Sequence, residues 1–400
     1  MLELLRFVGG ALALATASLT FVPAATRWLW YASIAATEWG YFLAFASLLP
    51  LIPTRHQTRI GKLGGLLALG AIVLFVMPVV RAQQTSKALP ALFDGAFGAA
   101  RRAREPAAED PRPAPLVITD LFEPVQSRPI RFEQRQYGTY AGQPLTLDVY
   151  QPGYVHGPLP GVIVVHGGDW SDGDNGTFMA LNAYLAARDY VVLAINYRLA
   201  PQWPFPAARD DVLSAIAYAK VYGHEFGLDP ARLVLLGRSA GGELALLSAY
   251  TAGDPSIRGV VSLYGASDLR YEYEHPAPTP LLDTRAALER YLGGPPASRP
   301  DPYFNASPVN FVSATSPPTL LVQGALDRIV RADETGRLEA RLARAGVAHL
   351  LLRLPWATHR CDKSFGGPCG QIVTYAVERF LDAVSIVAPV PAAPTARRHR

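Results

Sequence analysis

Seven short apolar runs between residues 145 and 355 restrict this 400-residue chain more than any other feature. They are LTLDVY (145–150), GVIVVHGG (161–168), YVVLAINY (190–197), RLVLLG (232–237), GVVSLYG (259–265), TLLVQG (319–324) and HLLLRLP (349–355). Most are apolar at nearly every position instead of alternating, the pattern of strands covered on both faces. Helical periods fall between them, at 180–187, 206–222, 242–252, 333–345 and 371–384. Strand alternating with helix over this length predicts an α/β architecture, an open and largely parallel sheet with helices on both sides. Ligands of such sheets bind beyond the carboxyl ends of the strands, so chemistry is sought in the residues that follow each run.

Gly237-Arg238-Ser239-Ala240-Gly241 joins the fourth run to a helix and fits the pattern G-x-S-x-G. A sharp strand-to-helix turn needs residues without Cβ near the serine, and it leaves the hydroxyl exposed above the sheet. The hydroxyl becomes a nucleophile only with a base, and the base needs an orienting acid. After a serine on such a turn the acid and then the base follow in chain order. His359, in PWATHRCD after the last run, is the candidate base. His349 opens an apolar strand, His275 sits among prolines ahead of any acid at a strand end, and His399 lies in the tail. Asp327, just past TLLVQG, is the candidate acid that fixes the imidazole tautomer, with Asp268 as the weaker rival. Donors for a tetrahedral oxyanion would be the amides of Gly167 and Gly168 in VVHGGDW and of Ala240. His166 reads as a residue that shapes this loop. Asp169, Asp172 and Asp174 read as a solvated or helix-capping group, because their spacing does not fit a calcium loop.

Four segments in order, VVHGGDW, NYRLAPQWPFPAARDDV, LDPARLVLLGRSAGGELAL and LVQGALDRIV, resemble the hormone-sensitive-lipase-like and feruloyl-esterase-like carboxylesterases of the α/β-hydrolase superfamily, over residues 144–381. With its apolar N-terminus the chain also resembles membrane-anchored bacterial esterases of mycobacterial type. The resemblance implies an α/β-hydrolase fold and a serine carboxylesterase or lipase working without cofactor or metal. Ser239, Asp327 and His359 would be its triad, and Gly167, Gly168 and Ala240 its oxyanion hole. It also implies that Tyr197, Arg198, Asp210 and Asp211 brace the fold. The chain departs from the family at two places, with Asp169 where a third glycine is common and Arg238 where an acid is common; both change the charge near the acyl pocket. The same fold and triad serve acyltransferases and prolyl-oligopeptidase-like peptidases, though the latter usually carry a large extra domain for which the preceding stretch is too short. A non-catalytic scaffold on a retired hydrolase fold is the reading from a different class.

The first eighty residues differ from the rest. Residues 7–26 and 63–80 carry no charge and 28–53 carry only Glu38, so a transmembrane region of three spans is expected over 1–81. A cleaved signal peptide would explain only the first stretch. Arg55, Arg59 and Lys62 lie between the second and third stretches and Arg27 alone between the first and second, which puts the N-terminus in the cytoplasm and the catalytic domain outside a multi-pass protein of the cell membrane. Glu38 in mid-span is either functional or satisfied against a neighbouring helix, and Gly61 and Gly65 have the spacing of a helix contact. Residues 82–126, rich in Ala, Pro and Arg, read as a linker, 127–386 as the catalytic domain with a cap-like insert at 269–312, and 387–400 as a disordered tail. The net charge is +4, and nothing in the basic tail interleaves aromatics with basic residues as a nucleic-acid surface would. The expected partners are a small-molecule or lipid ester and the membrane. Cys361 and Cys369, the only two cysteines, bracket a short Gly- and Pro-containing loop. In an oxidising compartment they would pair as a disulfide; otherwise they are two free thiols.

Overall fold

The computed structural model describes all residues except 55–57, 99–111, 113, 124, 126–127, 155–156 and 386–400. The expected tail and the middle of the expected linker thus lie outside the described residues. Strands β1 (Ile130–Tyr140), β2 (Gln143–Pro152), β3 (Leu159–Val165), β4 (Val191–Ile195), β5 (Leu228–Arg238), β6 (Ile257–Leu263), β7 (Thr319–Gly324) and β8 (His349–Leu354) form one sheet in the order β1-β2-β4-β3-β5-β6-β7-β8. β1 pairs antiparallel with β2 and β2 with β4, and every other pairing is parallel. Each apolar run contributes one strand. β1 is an addition to them: its sequence IRFEQRQYGTY is polar, it lies at the sheet edge, and most of its positions are solvent-accessible, so no apolar run marks it.

Among the described residues four α-helices precede the sheet: α1 (Leu2–Ser18), α2 (Arg27–Glu38), α3 (Gly40–Ala46) and α4 (Arg59–Phe97). Within the domain, α5 (Met179–Ala186), α6 (Ala207–Tyr222) and α7 (Ala240–Thr251) follow β3, β4 and β5. The insert holds α8 (Leu269–Glu274), α9 (Thr284–Leu292) and α10 (Pro300–Asn305), and α11 (Ala332–Ala345) and α12 (Pro368–Val384) complete the set. Alternate residues of β5 enter opposite cores, as a period of two requires. Leu233 and Leu235 belong to the core that includes residues of α6, α7 and α11, and Val234 and Leu236 to the core that includes residues of α5 and α12. β3 and β5 are neighbours, and Val165 pairs with Gly237. The loop after β3 and the turn after β5 therefore leave the sheet side by side at its carboxyl end.

The N-terminal helices depart from three spans at the expected bounds. Among the described residues α4 alone is long and apolar enough to cross a bilayer unaided: its 39 residues extend about 58 Å at 1.5 Å per residue. α1 has 17 residues. The second stretch breaks at Trp39, and the chain leaves α2 at 86° through α3 to Leu51. The cause is burial in another place: Trp30 and Ile34 of α2 belong to the core of the sheet domain. α1 and α4 run in the same direction. A Cβ on Gly61 would meet Glu3, one on Gly70 would meet Leu14 at 3.5 Å, and Arg81 lies 4.1 Å over the ring of Phe21. Their closest approach is at Gly10 and Gly64, where a Cβ on either would enter the other backbone; Gly65 meets its neighbours only at ordinary distances.

Nor does α4 stop where the linker was expected. It runs on to Phe97, with Ala82, Ser86, Leu89 and Phe93 buried. That spacing of four, three and four residues is one face of a helix, and this face docks against α12, with Phe97 edge-on to Phe380 at 5.2 Å. Residues 82–97 are therefore part of the domain's packing. Truncating fully buried Leu89 to Ala should destabilise the protein by about 2–4 kcal/mol, whereas Leu92→Ala, at a position 46% exposed, should change stability by no more than about 0.5 kcal/mol. Thermal or urea unfolding of the detergent-solubilised chain measures both, and equal small effects would mean that this half of α4 is not docked.

Candidate active site

β5 ends at Arg238 and α7 begins at Ala240, leaving Ser239 alone to reverse the chain. It does so at φ 53° and ψ −123°, a conformation that costs a residue with a Cβ about 1–3 kcal/mol. The turn is held by its own backbone: the Ser239 amide donates to Leu263 O at 3.0 Å, and the Ser239 carbonyl accepts from Gly242 N at 2.8 Å and Glu243 N at 3.2 Å. A Cβ on Gly241 would run into the carbonyls of Val165 and His166, so α7 can approach β3 this closely only with glycine there.

The three residues chosen from the sequence converge on this turn. His359 Nε2 lies 3.0 Å from Ser239 Oγ, and His359 Nδ1 lies 2.7 Å from Asp327 Oδ2. A carboxylate only accepts, so Nδ1 carries the proton, and Nε2 of the neutral ring is left to accept from the serine hydroxyl. Asp327 is fixed by the amides of Ile329 at 2.8 Å and Val330 at 3.1 Å and by the Gln323 amide at 3.2 Å. All three residues are buried. The loop after β3 closes over them: a Cβ on Gly167 would stand 2.7 Å from Arg238 O and 3.1 Å from Ser239 Cβ, so the Gly167 backbone abuts the serine. His166 supports that loop, with Nδ1 2.8 Å from Gly167 O and its ring stacked on Tyr197 at 4.2 Å. Burial pushes its pKa below the usual imidazole value. Arg198 and Asp211 form a buried pair at 2.6 Å.

The other candidates lie elsewhere. Asp268 caps α8 through the Tyr271 amide at 3.0 Å and pairs with Arg337. His275 stacks on Tyr271 at the exposed end of α8, and His349 Nδ1 faces Val347 O. Asp172 and Asp174 accept from the amides of Gly173 and Gly176. Cys361 and Cys369 are joined as a disulfide that closes the loop just after His359.

Residues 147–342 match the BD-FAE family model. The chain is 32% identical over 234 residues to the ethyl acetate hydrolase of Pseudomonas putida, across 55% of this chain and 72% of that protein. The chain belongs to the α/β-hydrolase carboxylesterases. It is also 27% identical over 387 residues to the Mycobacterium tuberculosis protein named "Probable carboxylic ester hydrolase LipM", across 90% of this chain and 87% of that protein. That alignment extends into the N-terminal helices. Among solved structures, the Pyrobaculum calidifontis esterase has a TM-score of 0.55 at 27% identity, covering 65% of this chain and 87% of that chain.

The two departures from this family's pattern act differently from each other. Asp169 lines the space beside Ser239, and burial raises its pKa above the usual carboxylate value. Arg238 faces away from that space. Its Nε donates to Asp362 Oδ2 at 2.7 Å, both side chains buried, and its guanidinium lies 3.9 Å over the ring of Phe178. Asp362 also accepts from the Tyr264 hydroxyl, and the Tyr264 ring stands edge-on to His359 at 4.7 Å. Of the two residues expected to change the charge near the acyl pocket, Asp169 lines the space beside Ser239, and the expectation is corrected for Arg238, whose charge is paired with Asp362 inside the domain. Asp362 sits between the two cysteines, so this pair ties the serine turn to the histidine loop.

Three more acids were missed in the sequence because nothing local distinguishes them. Glu243, fully buried in α7, accepts from Trp170 Nε1 at 2.8 Å and Tyr291 OH at 3.3 Å, joining the β3 loop to the insert. Its pKa is pushed up to about 8 by burial. Burial likewise raises Glu334, to about 7, and Glu272, which lines the Ser239 space. Such an acid stays protonated in the folded chain where the unfolded chain has already lost its proton. Stability from Glu243 is therefore complete below the unfolded carboxyl value of 4.5 and is lost as pH rises toward about 8. Glu243→Gln keeps an acceptor for Trp170 without the ionisation, so the fall in melting temperature between pH 5 and pH 8 should be shallower in that variant. Parallel melting curves for the two proteins would contradict the assignment.

Proposed function

We propose that the chain is a membrane-anchored serine carboxylesterase that acts through an acyl-enzyme. The supporting observation is the buried line from Asp327 to His359 to Ser239, with contacts of 2.7 Å and 3.0 Å. Ser239 Oγ attacks the ester carbonyl while its proton passes to His359 Nε2, and Asp327 stabilises the imidazolium that forms. The amides of Gly167, Gly168 and Ala240 receive the oxyanion. As the tetrahedral adduct collapses, the C–O bond to the alcohol breaks and His359 returns the proton to the leaving oxygen. Water then takes the place of the alcohol: it gives a proton to His359, attacks the acyl carbonyl, and releases the acid and Ser239. The protein groups complete this cycle without a cofactor.

The space beside Ser239 points to a small acyl group. It is a cavity of about 10 Å³ among Leu282, Ala287, Ile329 and Val330, room for roughly one water molecule. The insert at 269–312 supplies two of those walls, Leu282 and Ala287, which supports its reading as a cap that sets specificity.

The membrane reading rests on apolar exposure. Leu66 is 65%, Phe45 75% and Leu12 64% exposed, in helices that leave such side chains without cover. In this reading α1 and α4 cross side by side in one direction and the chain returns between them through α3. Arg59 and Lys62 at the start of α4 favour a cytoplasmic N-terminus, and the disulfide after His359 fits an oxidising exterior.

Hydrolysis of nitrophenyl esters by detergent-solubilised protein tests the chemistry. Acetyl, the shortest acyl chain, should be the best substrate, with rates falling as the chain lengthens, and Ser239→Ala should lower kcat by roughly 10⁴-fold or more. Activity that survives in Ser239→Ala, or a preference for long chains, would contradict the corresponding part of the proposal. A reporter fused after α12 should be active only when exported.

A further inference from the structure

We infer that Trp30 of α2 is a positioning residue for His359, so that the N-terminal region completes the active site as well as anchoring it. The inference rests on the triad reading above. Trp30 Nε1 donates to the His359 carbonyl at 3.0 Å in a buried contact, and the two rings lie 6.3 Å apart. The bond reaches across 329 residues of sequence, from the segment between the apolar helices to the loop that holds the base. That loop needs an external hold. Arg360, the next residue, is left-handed at φ 59°, a conformation disfavoured for a side chain with a Cβ. With the carbonyl fixed on one side of the turn, the ring is held where both of its nitrogens meet their partners.

Two further contacts seat α2 on the same region. The Arg27 amide donates to Pro280 O of the insert at 3.0 Å. Glu38, fully buried at the other end, accepts from Cys369 N at 3.1 Å, at the first turn of α12 and on the far side of the disulfide loop. α2 thus spans from the cap to the end of the histidine loop, with Trp30 between. Trp30 and Glu38 belong to a stretch that reads in the sequence as a membrane span, and Arg27 immediately precedes it. The burial of Glu38 there has its explanation in a domain contact outside any span.

If the indole bond serves only packing, its loss should affect stability and binding as much as turnover. If it positions His359, proton transfer should suffer first, because small misplacements of a reacting group are costly. The experiment compares full-length, detergent-solubilised wild type with Trp30→Phe, which keeps an aromatic ring without the N–H, and with Trp28→Phe, at a position 84% exposed on the same helix. The readouts are kcat and KM for nitrophenyl acetate, the rate at which a fluorophosphonate labels Ser239, and the melting temperature. Assays are run well below the lowest melting point.

For Trp30→Phe, kcat and the labelling rate should both fall roughly 10-fold, with KM within about twofold of wild type and Trp28→Phe unchanged. Wild-type kcat and labelling in Trp30→Phe would overturn the inference. So would a loss carried by KM, or one matched by Trp28→Phe. Should Trp30→Phe not fold, benzothienylalanine at position 30 keeps the bicyclic ring and lacks only the N–H, and the same pair of outcomes decides. Failure of the esterase reading would show separately, as wild-type protein without Ser239-dependent hydrolysis; the labelling rates would still compare the proteins at position 30.

Discussion

Ser239 occupies a strained backbone conformation between β5 and α7, and the approach of β3 that encloses it is possible because residue 241 has no side chain. The strain is offset by hydrogen bonds that the turn makes to Leu263, Gly242 and Glu243 and by a sheet packed on both faces. From this fixed point the other distances follow. The loop after β3 is brought against the serine because Val165 and Gly237 share a register. His359 and Asp327 arrive on loops after the parallel strands β8 and β7, at the same end of the sheet.

Contacts from distant segments hold the histidine loop. Arg238 reaches it through Asp362, the disulfide closes it, and Trp30 and Glu38 hold its two ends from α2. On the other side, Glu243 secures Trp170, which lines the Ser239 space, and Tyr291, stacked on Trp170. Because burial keeps Glu243 protonated to about pH 8, it can hold these donors without the cost of an unpaired buried charge. The rest of the N-terminal region is continuous with the domain, since α4 runs from its apolar half directly onto α12.

Much of the sheet was legible because its interior strands are buried on both faces and therefore read as apolar runs. β1 escaped that reading because an edge strand with polar faces has no such signal. The turn at Ser239 and the loops bearing Asp327 and His359 could be found because each follows a strand end. Arg238 with Asp362, Trp170 with Glu243 and Trp30 with His359 were not legible, since each pairing is made by tertiary packing across 124, 73 and 329 residues. α2 misled for a related reason: an apolar helix seated on a protein core and one seated in lipid have similar compositions. In 82–97 a signal was present, for Ala82, Ser86, Leu89 and Phe93 form a helical stripe, but the polar residues and Pro90 around it masked the period.

The account centres on a covalent acyl intermediate at Ser239, which rapid-quench mass spectrometry can observe directly. Detergent-solubilised protein is mixed with excess nitrophenyl acetate, quenched in acid within milliseconds to seconds, and digested. The account predicts an acetyl adduct on the peptide containing Ser239, formed before steady state and lost as substrate is exhausted. Steady turnover with no adduct on that serine, or with the acyl group on another residue, would contradict it.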